Sequence, residues 1–102
     1  MHGTIVVKDS VLAEHPWIGK SLFAAFSRAK SEWLARLDAG TATVASDRKY
    51  LGLRKIVGYD PLPYGMEPNL KTIRALEETA FKQKLTPARV PLERLFVDPE
   101  RP

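Results

Sequence analysis

The side chains able to do chemistry in this chain are few. His2 and His15 are its only histidines, and it has no cysteine at all, which removes disulfides, thiolate zinc sites and cysteine nucleophiles together. His2 is the residue best suited to move a proton near neutral pH, although a histidine so close to the start of a chain equally suits a solvent-facing role. His15 stands immediately before Pro16, where it fits the entry to a helix better than a site. A phenol, a carboxylate and an amide then gather in Tyr64-Gly65-Met66-Glu67-Pro68-Asn69. Such a set can hold a polar ligand, and Glu67 and Asn69 can also cap the helix that follows. There is no His, Asp and Glu grouping with metal-ligand spacing, no nucleophile elbow and no glycine-rich phosphate loop. No metal and no cofactor are expected, and these residues do not make a complete active site.

The elements that must position those residues fit in one domain, 1–102. A chain of 102 residues buries roughly 65% of the surface its unfolded form exposes, enough for one modest core. Its 16 Lys and Arg against 12 Asp and Glu give a net charge of +4, but the two signs interleave, so a solvated basic surface and no nucleic-acid partner are expected. No apolar run approaches the roughly 20 residues that span a bilayer, so no membrane partner is expected. The opening Met1-His2-Gly3-Thr4 lacks a basic leader followed by a long apolar stretch, which points to the cytoplasm.

Residues Thr4 to Val7 are β-branched without interruption, bounded by Gly3 and by Asp9-Ser10, the pattern of a short strand over about 3–8. Asp9 or Ser10 is placed to cap a short helix over about 10–15, and Pro16 fits the first position of a long one over about 16–39. Ile18, Leu22, Phe26, Ala29, Trp33 and Leu37 give that helix its apolar stripe, with Lys30 and Arg36 on other faces and Gly40 as the stop. Ser46 or Asp47 caps a helix over about 47–57, with Arg54 and Lys55 pointing outward. Gly52 in its middle costs roughly 1 kcal/mol relative to Ala. Tyr59 to Asn69, rich in proline, reads as an ordered loop. A helix follows over about 69–85, then short turns at 87–96 and a tail at 97–102.

The strand has no second strand of comparable strength to pair with, and a buried backbone must be satisfied on both sides. Its order with the later pieces resembles the C-terminal portion of the 4,5-dihydroxyphthalate decarboxylase family. The residues that carry the resemblance are Met1-His2 before the strand, His15-Pro16-Trp17 opening the long helix, Gly58, Asp60 and Pro63-Tyr64-Gly65, then Glu67, Asn69 and Leu85-Thr86-Pro87 with Leu95-Phe96. It spans nearly this whole chain and about the last third of a family member. What it implies is a mainly α piece, with one short N-terminal β-strand, of an α/β two-lobed fold of the type II periplasmic-binding-protein kind. It implies loss of CO2 from a small aromatic carboxylate in the full-length parent, with His2 as catalytic proton donor and Tyr64, Glu67 and Asn69 toward the substrate. This chain alone is expected to be inactive.

Two other readings stand beside that one. The same fold relation could serve solute binding instead of catalysis. Alternatively the chain is a small helical interaction module that self-associates as a homodimer through its strand or its apolar faces, the strand pairing with that of the second copy and so hiding an otherwise aggregation-prone edge.

Overall fold

The computed structural model describes residues 3–41 and 44–100. Helix α1 spans Asp9–Glu14, α2 Ile18–Asp38 and α3 Ala45–Val57. A 3-10 turn at Glu67–Asn69 runs straight into α4, Leu70–Lys82, and α5 is a single turn at Leu92–Leu95.

Among the described residues there is no strand and no sheet. This overturns both the N-terminal strand expected over 3–8 and the α/β two-lobed type II relation built upon it. Gly3 to Val7 make no backbone hydrogen bond to another described residue, and Ile5 and Val6 are 60% and 88% exposed. β-Branched side chains favour extended backbone, but a strand exists only through its ladder. Among the described residues no segment pairs with it to supply one.

The helix starts depart from the capping residues expected for them. Lys8 and Val44 occupy the N-cap positions of α1 and α3 without a side-chain cap bond. Asp9 and Asp47 fall inside the first turns, where a negative charge favours the exposed N–H groups of a helix start. Helix α2 begins at Ile18, two residues past Pro16, because His15 accepts the Ile18 N–H at 3.0 Å in a separate turn.

The ends of α2 and α4 share one geometry. After α2, the Gly40 N–H bonds Leu37 O and the Thr41 N–H bonds Arg36 O, with Gly40 at φ 71°. After α4, the Lys84 N–H bonds Phe81 O and the Leu85 N–H bonds Ala80 O, with Lys84 at φ 60°. Both are Schellman closures, in which a left-handed residue lets two N–H groups reach back to orphan carbonyls. The second uses lysine where glycine would be free of strain, so α4 ends before the expected 85.

Packing between elements is thin. Among the described residues only Leu37 and Ile73 are apolar and buried, and Asn69 is the one buried polar residue. The fullest contact between elements joins α4 to the 3-10 turn that feeds it. The aromatic series expected as core on α2 is therefore split. Phe23 and Trp33 are half-buried, while Phe26 and Trp17 are 43% and 62% exposed. The chain has an accessible surface of 8166 Å² and a radius of gyration of 16.4 Å.

Two helix substitutions should raise stability. A Cβ at Gly52 meets nothing within 4 Å, so Gly52→Ala should gain about 1 kcal/mol, and Lys84→Gly, by relieving the left-handed lysine, about the same. Each should lift the thermal midpoint by roughly 4–8 °C when followed by circular dichroism.

Candidate functional site

The loop between α3 and α4 carries the chain's densest set of polar contacts, and one side chain organises it. Lys30, on α2, is only 12% exposed at its side chain, although its place in the pattern predicted an outward position. Its ammonium donates to Asp60 Oδ2 at 2.6 Å and to Leu62 O at 3.0 Å, and it lies 4.2 Å from the centroid of the Tyr64 ring. Asp60 Oδ1 accepts the Leu62 N–H at 3.0 Å, which turns the backbone so that Leu62 O faces Lys30. A cation gains from a carboxylate, a carbonyl and an aromatic face at once, and Lys30 has all three.

The far half of the loop closes upon Asn69. Its amide donates to Pro63 O at 2.8 Å and Gly65 O at 2.9 Å. Asn69 occupies the N-cap position of α4 but makes no side-chain cap bond, since both donors turn back into the loop. Gly65 sits at φ 97°, and a Cβ there would lie 2.7 Å from Glu100 Oε2 and 3.7 Å from Phe23 Cζ. The loop is thereby held between α2 and the C-terminal tail.

The structure brings Tyr64 and Asn69 into one loop with Glu67 between them, but does not aim the three at a common point. Asn69 spends its donors on the loop, the Tyr64 ring faces the Lys30 ammonium, and the exposed Glu67 side chain makes no hydrogen bond or ion pair among the described residues. The two clearest surface concavities, about 440 and 190 Å³, are lined by residues between Ile73 and Phe96 and include none of the three. His2 lies outside the described residues. Among those described, no group of three or more His, Asp and Glu could hold a metal ion, and no helix is long and apolar enough to cross a membrane.

A second polar cluster escaped the sequence pattern. Arg54, placed outward by its spacing, is instead only 14% exposed at its side chain. It donates from Nη1 to Asp38 Oδ1 at 2.8 Å and from Nε to Tyr59 O at 2.7 Å, and its guanidinium stacks 4.3 Å from the Tyr59 ring centroid. The Tyr59 hydroxyl donates to Asp38 Oδ2 at 2.5 Å. These bonds tie the end of α2 to the end of α3. The Tyr59 hydrogen bond, followed by that of Arg54, holds the Asp38 carboxyl below its ordinary 3.8, and the same bond to Asp38 lifts the Tyr59 phenol above 10.0. Nearby, Trp33 Nε1 donates to Asp47 Oδ1 at 2.9 Å and its ring meets Tyr50 edge-on at 5.3 Å, docking the start of α3 on α2. Glu77 similarly takes Arg89 Nε at 2.7 Å and the Val90 N–H at 3.1 Å, fastening the C-terminal segment to α4.

The site therefore reads as a structural clasp, and its substitutions should behave so. Lys30→Met should cost about 1–2 kcal/mol by orphaning Asp60 and Leu62 O, whereas Glu67→Gln should leave the thermal midpoint unchanged. The Asp38 and Tyr59 pair should also set a pH window. With Asp38 depressed, its contribution is present above about pH 3.8 and lost as pH falls through its folded value. With Tyr59 raised, its contribution is present below about pH 10 and lost as pH rises through its folded value. Tyr59→Phe should remove the alkaline limb and return the Asp38 midpoint, followed by carboxyl NMR shifts, toward 3.8.

No protein-family model, no curated protein and no solved structure matches this chain.

Proposed function

We propose that the chain is a small helical assembly module that completes its apolar core against a second copy of itself. One observation carries this reading. A compact monomer of 11.4 kDa exposes about 5,800 Å², whereas this chain exposes 8166 Å². Its radius of gyration of 16.4 Å exceeds the roughly 13 Å of a compact chain of this length in the same sense. The excess, roughly 2,400 Å² per chain or about 4,800 Å² for two chains, falls within the roughly 2,000–5,000 Å² that obligate homodimers bury over both partners. Large side chains contribute to it, including Leu76, Leu85 and Leu95, each more than half exposed.

The polar clusters support the same reading from another side. Lys30, Arg54 and Glu77 each fasten one segment of the chain to another, so they fix a shape in which apolar faces remain open. A scaffold of this kind presents a surface. It does not enclose a substrate.

Association should make stability depend on concentration. The thermal midpoint should rise across a hundredfold increase in chain concentration, and sedimentation velocity should find dimer at micromolar levels. A well-folded monomer with a concentration-independent midpoint would overturn the proposal.

A further inference from the structure

We infer that the face through which two copies meet is the seam of α4 centred on Leu76 and Ala80, packed antiparallel against the same seam of the second chain. This rests on the assembly reading above and says where on the surface the contact lies.

The first observation is charge. At about 100° per residue, the positions within roughly 60° of Leu76 on the helix are Thr72, Ile73, Thr79 and Ala80, continued by Gln83. None is charged, in a chain where 27% of residues are. Lys71, Arg74, Glu78 and Lys82 all lie on the other side of the helix. Depletion of charge at the centre is what distinguishes an interface from ordinary surface.

The second observation is shape. Leu76 is 56% exposed, and Ala80, one turn on, leaves a gap beside it. In an antiparallel crossing about a two-fold axis, Leu76 of each chain lies over Ala80 of the other, so one large and one small residue satisfy both halves of an isologous contact. Directly alongside runs an apolar groove of about 190 Å³ whose walls include Ile73, Leu76, Ala80, Val90, Leu95 and Phe96. An apolar cavity of about 150 Å³ takes up a molecule as large as benzene, so this groove has room for a leucine side chain arriving from outside. Glu77, at its edge, is already neutralised by Arg89. The groove, the uncharged seam and Leu95, 53% exposed, form one continuous surface.

The test separates the location from the association itself. Leu76→Glu and Ala80→Leu both keep residues that favour helix, the first placing a charge at the centre of the seam and the second filling its gap. Ile56→Glu changes an aliphatic residue on α3 that is 81% exposed and serves as the control. Sedimentation equilibrium should find Leu76→Glu weakening the dimer by about a hundredfold, since two leucines leave one interface. Ala80→Leu should weaken it as well, Ile56→Glu should leave it unchanged, and the helical signal should persist in all three. If the unaltered chain dimerises and Leu76→Glu does so equally, the seam is wrong while the assembly reading stands. If the unaltered chain is monomeric and stable, both fall.

Discussion

A folded chain must offset the conformational entropy it loses, on the order of 1–2 kcal/mol per residue, chiefly by removing apolar surface from water. Here only Leu37 and Ile73 are apolar and buried among the described residues, and the rest of the arrangement answers to that shortage. Polar contacts take over the placing of segments: Lys30 holds the loop to α2, Arg54 with Asp38 and Tyr59 joins the ends of α2 and α3, and Glu77 with Arg89 fastens the C-terminal segment to α4. Each is partly exposed, and partly exposed ion pairs contribute modestly. They determine geometry more than stability.

Division of labour between polar placement and apolar burial explains what the Tyr64 to Asn69 loop does. Its residues could read as ligand-binding when considered as types. In place, the amide of Asn69 and the aromatic face of Tyr64 complete a closed circuit with Lys30 and the loop backbone. The two Asn69 donors are spent on the loop backbone and the Tyr64 face on Lys30, so neither is left for a ligand. What α4 leaves open to water is apolar, Leu76 being 56% exposed.

Comparison of residues that were legible with those that were not shows where pattern reasoning holds. Gly40 announces the end of α2, because glycine is the residue that takes a left-handed conformation without strain. Lys84 closes α4 by the same bonds and announces nothing, so that helix was drawn too long. The spacing of Lys30 and Arg54 on their helices pointed to solvent, and both are largely buried, because burial depends on which neighbouring segment folds over a face. The chain's periodicity contains no record of that. The N-terminal run Thr4 to Val7 failed for a related reason. Its residue types suit a strand, but pairing is a property of two segments, and among the described residues it has no partner. The resemblance built on that strand lost its α/β fold with it. The spacing of Ile73, Leu76 and Ala80 is that of an ordinary amphipathic stripe, and periodicity does not tell that Leu76 is left 56% exposed while Ile73 is buried.

The thin contact between helices has a consequence in time. The helices draw on residues near one another in sequence, and such local structure forms on microsecond to millisecond scales. In the assembly proposed above, completion of the core by a second chain is instead a bimolecular encounter, whose rate rises with concentration. In such an assembly a freshly made copy would wait in its open form for a period set by how many others surround it. Its exposed apolar side chains would meanwhile meet chaperones and proteases, so abundance as much as sequence would govern how long each molecule stays unfinished.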